Sequence, residues 1–395
     1  MGRGRAADRR FSPAAPEVNG TSDYRCAGGI GQRRRREQRA MDTDKTFATR
    51  LVDWHRRHGR HDLPWQHRCD GVPDPYRVWL SEIMLQQTQV DTVIPYYARF
   101  LARFPDLAAL AAAPVDEVLT LWSGLGYYAR ARNLHKAAQA VADFHGGNFP
   151  SRAEAIARLP GIGRSTAAAI AAFAFGERAA ILDGNVKRVL CRAFGVAGFP
   201  GQRAVEARLW ALAESLLPPT DVGTYIQAQM DLGATVCRRS RPACARCPLA
   251  DSCVARREDR IAELPAARPR KAVPQRRVRV AVIHAAGRVL LEQRPPAGIW
   301  GGLLALPEIP DSEPDAGRWL QTRFALAPRA SLQLAPLNHA FTHFRLEITP
   351  IRFDVEDAGR SVAEAGHRWL ALADLDAAGL PTPVRRILDA LASAA

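Results

Sequence analysis

The stretch CRRSRPACARCPLADSC, residues 237–253, decides most about the fold of this chain because it holds four cysteines in one short segment. Cys237, Cys244, Cys247 and Cys253 follow the spacing C-x6-C-x2-C-x5-C. Four thiolates suit an iron–sulfur cluster or a structural zinc ion. Zinc ribbons usually present two C-x2-C units and only one is found here, so the spacing favours a 4Fe–4S cluster. Disulfides or unrelated buried thiols are the alternative.

The length and composition are those of a globular protein. A chain of 395 residues can form two or three domains, each with its own core. The longest apolar run, around residues 167–175, is too short to span a membrane, and the N-terminus lacks the apolar segment of a secretory signal. The other cysteines, Cys26, Cys69 and Cys191, are scattered, so we expect a protein of the reducing cytoplasm without membrane attachment.

The formal charge of +15 favours a polyanionic partner, with nucleic acid first and an anionic membrane surface second. Residues 1–40 contain ten arginines against four acidic residues and lack hydrophobic periodicity, so we predict a disordered basic extension there. Met41 as the true first residue is one alternative interpretation, and a basic DNA-binding arm is another.

Residues 41–260 are predicted to form an all-α domain. Asp74-Pro75 is an N-cap followed by proline, which predicts a helix continuing through Ile94. Ser151-x-x-Glu154 has the pattern of a capping box. Further helices are predicted at 165–175, 186–194, 204–216 and 221–235.

Residues 261–275 are rich in proline, alanine and basic residues, which is typical of a linker. Residues 276–395 are predicted to form an α+β domain. Val278, Val280 and Val282 alternate with other residues, as strand residues do, and Thr382-Pro383 marks the start of a final helix. The predicted fold class is therefore an all-α domain with a cysteine loop, followed by an α+β domain.

The segment LPGIGRST, residues 159–166, lies between two predicted helices. Gly161 and Gly163 allow a tight hairpin whose backbone N–H groups, together with the start of the next helix, can hold a DNA phosphate. An ordinary helix–helix turn is the alternative. Further on, Asp183 lies just before a helix, where it can act as an N-cap or direct a carboxylate toward a substrate.

Together these features resemble the endonuclease III superfamily of helix–hairpin–helix DNA glycosylases, and within it the adenine DNA glycosylase family. Two long stretches carry the closer resemblance, VWLSEIMLQQTQ at 78–89 and LWSGLGYYARARN at 121–133. The resemblance covers roughly residues 45–390. It implies a monomeric bacterial enzyme of base excision repair that binds duplex DNA. The enzyme would remove adenine paired with 8-oxoguanine or guanine by base flipping and acid-assisted hydrolysis.

The resemblance also implies catalytic roles. Glu82, which alone would be taken for a solvated glutamate, would protonate adenine at N7 and then help to activate water, with a pKa raised by burial. Asp183, ionised, would stabilise the oxocarbenium-like sugar or bond briefly to C1′, and Asn185 would position the reacting groups. Lyase relatives carry a lysine where this chain has Ser165. Since serine cannot form an imine, we expect base removal with little or no strand cleavage.

Residues that probe the duplex are also implied. Gln87, Thr88, Leu125 and Tyr127 would contact or wedge beside the opposite base, with Gly161, Gly163 and Ser165 near the phosphates. Core packing is the alternative for Leu125 and Tyr127, but the glycines at 124 and 126 favour an exposed, sharply turned loop. The cysteine cluster would be structural and would shape a basic loop at 238–241.

The C-terminal part resembles the Nudix fold. Gly302-x5-Glu308 matches the start of a Nudix box, but the following glutamates that would hold magnesium are absent. The resemblance implies recognition of 8-oxoguanine by Phe341, Thr342 and His343. The family has serine where Thr342 stands, so the hydroxyl is kept and a methyl group is added. A loop at the edge of a strand is the alternative.

Three other functions remain open. A glycosylase with lyase activity on oxidised pyrimidines is disfavoured by Ser165. A catalytically inactive DNA- or lesion-binding protein is disfavoured by the presence of both Glu82 and Asp183. A Nudix-type nucleotide hydrolase is disfavoured by the incomplete Nudix box.

Overall fold

The computed structural model describes residues 47–67, 71–269, 272–296, 298–356 and 366–393, which belong to one compact unit. The predictions for residues 1–40, and for Cys26 and Cys69, lie outside these ranges. None of the helices in the described ranges combines the length and the apolar composition that a membrane span requires.

The first part of the described chain is helical. Its helices are α1 (47–58), α2 (Pro75–Leu85), α3 (Val90–Arg103), α4 (Leu107–Ala112), α5 (Val115–Leu121), α6 (Ala129–His145), α7 (Ala153–Ile156), α8 (Arg164–Phe175), α9 (Gly184–Phe194), α10 (Arg203–Ser215), α11 (Val222–Asp231) and α12 (Val254–Arg257). A π-helical turn, Leu232–Val236, continues α11, and single 3-10 turns occur at Pro64–Gln66 and Cys244–Arg246.

The predicted helix from Pro75 through Ile94 is wrong in its extent. Asp74 does cap α2 by accepting a hydrogen bond from the Tyr76 N–H at 2.9 Å, but the helix ends at Leu85. The guanidinium of Arg130 donates to the carbonyl oxygens of Ile83 and Met84 at 2.9 and 2.7 Å. These oxygens are the acceptors that a continuing helix would need, so the chain turns and a new helix begins at Val90.

The predicted capping box at Ser151 is also wrong. Helix α7 has only one turn, its N-cap is Arg152, and Glu154 pairs with Arg158 on the surface. The N–H of Ala153 donates instead to the Glu177 carboxylate at 2.7 Å. A carboxylate that follows α8 therefore caps this helix, which no local pattern could show.

Helix α8 joins two hydrophobic cores because nearly every face of its alanine-rich sequence is buried. Ala167, Ile170 and Ala171 pack into the first core, which contains α2, α3 and α6. Ala168 and Ala172 pack into the second core, which contains α1, α9 and α11. The small alanine side chains allow both cores to approach this helix closely, so the segment at its start lies between them.

The second part contains eight strands within the described residues, and they form one sheet. They are β1 (Gln275–Ala285), β2 (Arg288–Gln293), β3 (Leu304–Ala305), β4 (Glu308–Ile309), β5 (Pro328–Gln333), β6 (Leu337–Ala340), β7 (Arg345–Val355) and β8 (His367–Ala371). The main strand order is β3-β2-β1-β7-β5. Strand β1 pairs with β7 in parallel, and the other pairs are antiparallel.

Alternation along β1 explains why this sheet is covered on both faces. Val280 and Val282 face the core that contains helix α14 (Thr382–Ser393), while Ala281 and Ile283 face the core that contains helix α13 (Ala316–Phe324). Successive side chains of a strand point to opposite faces, so a run of small apolar residues can serve both cores. The strands predicted from alternation and the final helix at Thr382 are confirmed.

Candidate functional site

A cavity of about 740 Å³ is lined by all three predicted catalytic residues. Helix α2 contributes Glu82, α8 contributes Ser165, and the start of α9 contributes Asp183 and Asn185. Thr88, in the turn after α2, lies on its wall. The structure thus brings together five residues that are up to about one hundred positions apart in the sequence.

Glu82 lies at this cavity in an environment that favours its protonated form. Burial, together with the negative charge of Asp183, raises the pKa of Glu82 to about 8. Among the described residues, none donates a hydrogen bond to its carboxyl group. The predicted rise in pKa is confirmed. A carboxyl group that keeps its proton near neutral pH can donate it to a base in the cavity.

Asp183 is the N-cap of α9, as one of the two sequence interpretations predicted. Its Oδ1 accepts from the Val186 N–H at 2.7 Å, and its Oδ2 accepts from the Asn185 side chain at 3.2 Å. Burial raises the pKa of Asp183 above its ordinary value and outweighs the opposite effect of these donors and of the Arg188 charge, which opposes the predicted ionised form. Both of its oxygens accept hydrogen bonds, whereas Glu82 receives none, so hydrogen bonding favours the ionised form of Asp183 and not that of Glu82.

Asn185 is held in place by neighbours that sequence reasoning missed. Its Oδ1 accepts from Arg188 at 2.8 Å, and the same guanidinium donates to the carbonyl oxygens of Gly233 and Cys237 at 2.8 and 2.7 Å. A Cβ atom at Gly233 would lie 2.5 Å from the Cβ of Asn185. Only glycine therefore fits the π-helical turn at this point. Helix α9 is tied through Arg188 to the first cysteine of the loop.

The predicted hairpin before α8 has the backbone that its glycines suggested. Gly161 has φ of +76°, and a Cβ atom there would lie 2.6 Å from the Cβ of Asn133. Gly163 is the exposed N-cap of α8. The hydroxyl of Ser165 accepts from the Leu182 N–H at 2.9 Å, which holds the segment before Asp183 against this helix. Exposed N–H groups at this helix start can bind an anion.

The predicted duplex-probing residues are only partly exposed. Gln87, with φ of +59°, is exposed, and Tyr127, with φ of +50°, is 48% exposed. The predicted exposure of Leu125 is wrong, because this side chain is 6% exposed and belongs to the first helical core, as the alternative of core packing had it. The flanking glycines do turn the chain sharply, but the turn directs Leu125 inward.

Arg130 organises this region, and sequence reasoning missed it. In addition to its hydrogen bonds to the carbonyl oxygens at the end of α2, its guanidinium donates to the Thr88 hydroxyl at 3.0 Å and to the Leu125 carbonyl oxygen at 3.3 Å. It also lies 5.7 Å from the centroid of the Tyr127 ring. Burial lowers its pKa to about 10, so it stays charged. The available signal was its position four residues before Leu134, on the apolar face of α6.

The four cysteines line one small cavity of about 30 Å³, whose walls include Pro242, Ala250 and Ile261. The walls expose no polar surface to it, and burial raises the pKa of Cys247 to about 12. In the described ranges, no group of three or more His, Cys, Asp or Glu side chains is arranged to hold a single metal ion. Four thiols around one cavity are a ligand set that could hold an iron–sulfur cluster.

Arg192 holds the loop that carries these cysteines. This buried arginine donates to the carbonyl oxygens of Arg238 and Arg239 at 2.7 and 3.1 Å, and to that of Leu264 at 2.8 Å. It also lies 3.5 Å from the Cys237 sulfur. These hydrogen bonds from Arg192 hold the backbone of the basic loop in place. Arg238 and Arg239 also line the cavity that Glu82 and Asp183 share.

A second cavity, of about 700 Å³, shares Trp65, Glu82 and Gln227 with the first. Three histidines also line it, His55, His61 and His67. Glu82 thus borders two neighbouring cavities. The aromatic ring and the amide beside it are groups that can stack on, and hydrogen-bond to, a purine base.

A buried ionic network supports the wall between the two cavities. Asp231, which is 1% exposed, accepts three hydrogen bonds from Arg60, through the backbone N–H and two guanidinium nitrogens, at 2.6–2.9 Å. Gln227 donates to it at 2.9 Å, and His55 Nε2 lies 3.3 Å away. Burial would raise the pKa of Asp231, but these donors lower it overall.

The predicted lesion-reading residues form the turn between β6 and β7. The Phe341 N–H donates to the Phe344 carbonyl oxygen at 2.9 Å, and the two rings stack with centroids 4.4 Å apart. Thr342 and His343 are exposed at the tip. The hydroxyl of Thr342 lies 3.5 Å from His343 Nδ1. The tip can therefore present a hydroxyl and an imidazole to a partner.

Comparisons with known proteins agree with this architecture. The family profile described as HhH-GPD superfamily base excision DNA repair protein matches residues 80–215, and a NUDIX domain profile matches residues 279–390. The predicted fold class is confirmed. The chain is 36% identical over 348 residues to the adenine DNA glycosylase of Buchnera aphidicola subsp. Acyrthosiphon pisum, covering 88% of this chain and 98% of that protein.

Two further similarities were found. The chain is 34% identical over 399 residues to the adenine DNA glycosylase of Homo sapiens, covering 86% of this chain and 73% of that protein. Among solved structures, a thermostable thymine-DNA glycosylase is 29% identical with a TM-score of 0.49, covering 55% of this chain and 98% of that one.

Proposed function

Because the chain belongs to the adenine DNA glycosylase family, and is thus a DNA glycosylase of base excision repair, we propose that it removes adenine paired with 8-oxoguanine or guanine in duplex DNA. The observation that carries the proposal is the pair of carboxyl groups in one cavity, Glu82 without a hydrogen-bond donor and Asp183 with several. These unequal environments support the proposal that Glu82 is the acid and Asp183 the anion that acid-assisted hydrolysis requires.

In the proposed mechanism, the adenine leaves the base stack and enters the cavity beside Trp65 and Gln227. Glu82 donates its proton to N7 of the base, so adenine departs as a neutral molecule when the bond from C1′ to N9 breaks. Asp183 stabilises the positive charge that develops on the sugar. Glu82, now a carboxylate, takes a proton from water as the water oxygen bonds to C1′, and the enzyme regains its starting state.

Strand cleavage would require an amine that attacks C1′. Ser165 cannot form an imine, and its hydroxyl is engaged with the Leu182 N–H. None of the described residues that line the cavity is a lysine. The enzyme is therefore proposed to be monofunctional, leaving an abasic site.

Duplex contacts are proposed along the same side of the molecule. Gln87, Thr88 and Tyr127 would contact the bases around the vacated position, with Leu125 as packing support beneath them. The hairpin glycines and Ser165 would lie near the phosphates. Phe341, Thr342 and His343 would contact the base opposite adenine, where the hydroxyl and imidazole can form hydrogen bonds with 8-oxoguanine.

The four cysteines are proposed to hold a 4Fe–4S cluster, in accordance with the four thiols around one apolar cavity. Such a cluster, when bound, has all its protein ligand positions filled and serves as a structural link. The residues around it do the rest. Arg192 fixes the loop backbone, and Arg238, Arg239 and Arg241 supply positive charge for phosphates.

We further propose that residues 41–260 and 276–395 act as two domains joined by 261–275, in a monomer associated with the bacterial nucleoid.

The proposal is tested by single-turnover reaction of a duplex that contains one adenine opposite 8-oxoguanine. We expect strand breaks only after treatment with alkali, since base removal leaves an alkali-labile abasic site. Breaks without alkali would refute the monofunctional assignment. The variant Glu82→Gln should bind the duplex and release no adenine, while the surface control Glu154→Gln keeps the wild-type rate. Tight binding without turnover by the wild type would show a lesion-binding protein instead.

A further inference from the structure

A short turn of the C-terminal part packs against the helical part. In this turn, residues 298–303, the Leu303 N–H donates to the Trp300 carbonyl oxygen at 3.0 Å, and the Gly301 carbonyl oxygen accepts from Arg132 at 2.6 Å. Leu303 is buried in the first helical core. Trp300 packs against that core and against the C-terminal core that contains α14.

The ring of Trp300 also contacts the hairpin that is proposed to read the base opposite adenine. Its centroid lies 5.8 Å from that of Phe341 and 6.2 Å from that of His339, at angles of 42° and 56°. Phe341 in turn stacks on Phe344, the other end of the turn. A continuous path of packed rings therefore joins the helical core to the hairpin tip.

The backbone of Trp300 has φ of +56°, in the left-handed region that bulky residues rarely adopt. Glycine would adopt this conformation without strain, and glycines flank the position on its C-terminal side. Non-glycine residues persist in such conformations where the surrounding structure holds them there. The contacts of the indole ring are therefore what hold Trp300 in this conformation.

We propose that Trp300 is a positioning residue for recognition of the opposite base. It holds the segment Phe341–His343 at a fixed place relative to the helical part, so that the hairpin meets the base opposite the adenine that has entered the cavity. The inference rests on the proposed function, namely that this hairpin reads 8-oxoguanine. Trp300 does not line the catalytic cavity, so its effect lies in selectivity.

The test measures the dissociation constants of the cluster-loaded, full-length protein for duplexes with a non-cleavable adenine analogue opposite 8-oxoguanine or opposite guanine. The lesion preference is the dissociation constant for the guanine duplex divided by that for the 8-oxoguanine duplex. Trp300→Ala should lower this ratio about ten-fold, and Trp300→Phe should restore most of it, since phenylalanine keeps an aromatic contact. Trp369→Ala is the matched control, because Trp369 packs in the core on the other face of the sheet. The control should keep the ratio within about two-fold of wild type.

Phe341→Ala and the double variant with Trp300→Ala complete the design. The double variant should lose no more preference than Phe341→Ala alone, because both substitutions disrupt one contact. If Phe341→Ala lowers the ratio and Trp300→Ala changes it no more than Trp369→Ala does, the positioning role is refuted while lesion reading stands. If the wild type shows no preference, or Phe341→Ala leaves it unchanged, lesion reading by the hairpin fails and the positioning role fails with it.

Discussion

Replacing Glu82 by glutamine should stabilise the folded protein by an amount that grows with pH. In the folded protein the Glu82 carboxyl has a pKa of about 8, whereas the ordinary value for glutamate is 4.5. Between these pH values the folded state holds a proton that the unfolded state has released. Glutamine keeps the size and shape of the side chain and removes this linkage.

The magnitude follows from the two pKa values. They differ by about 3.5, and each pH unit between them corresponds to about 1.4 kcal/mol, so the full effect is roughly 5 kcal/mol. Because the folded pKa is the higher one, wild-type stability relative to the variant is complete below pH 4.5 and declines until about pH 8. With an unfolding entropy of about 2.1 cal/mol/K per residue over residues 47–395, this corresponds to about 7 °C in melting temperature.

The assay is thermal unfolding of wild type and Glu82→Gln, both with the cluster bound, at pH values of about 5, 6.5 and 8. Effects of pH that both proteins share cancel in the difference between them. The control Glu154→Gln, which replaces an exposed carboxylate, should show no growth of the difference with pH. A difference between wild type and Glu82→Gln that stays constant across this range would refute the reasoning. It would mean that Glu82 ionises in the folded protein without cost.

Three further substitutions test the packing around the site. Gly233→Ala places a Cβ atom 2.5 Å from that of Asn185, so the single-turnover rate should fall about a hundred-fold with DNA affinity nearly unchanged; an unchanged rate would contradict the close fit. Arg130→Met should lower the free energy of unfolding, measured with denaturant, by about 3 kcal/mol because the carbonyl oxygens of Ile83 and Met84 lose their buried donor. A loss below about 1 kcal/mol would contradict the role of Arg130 as that donor. Asp231→Asn should cost a similar amount and weaken adenine excision, since the Arg60 guanidinium loses its buried counter-charge; wild-type melting would refute this.

Local pattern predicted the periodic elements because their causes are local. The helices α8, α9 and α10 begin and end within two residues of the predicted positions, since apolar spacing and terminal residues determine them. The strands around Val280 were equally clear. Cysteine spacing predicted four thiols at one place, and the structure puts all four on one cavity.

The errors share one cause, which is contact between residues distant in the sequence. The helix after Asp74 ends early because Arg130, more than forty positions away, takes its carbonyl oxygens. Leu125 turns inward because the helical core has room for it, and its glycine neighbours do not specify the direction. The need for glycine at 233 arises only once the π-helical turn approaches Asn185. Contacts between residues distant in the sequence produce no periodic pattern from which they could be predicted.

The different roles proposed for the two carboxyl groups are consistent with where each stands on its helix. Glu82 is the eighth residue of the eleven in α2, where backbone N–H groups are already bonded within the helix. Asp183 precedes the first residue of α9, where N–H groups lack helical partners and the helix dipole favours negative charge. The first group is thus half-buried without donors, which favours its protonated form, while the second is half-buried among donors that favour its ionised form against the effect of burial. One chemical group can serve as acid or as anion, and the sequence position relative to a helix start determines which.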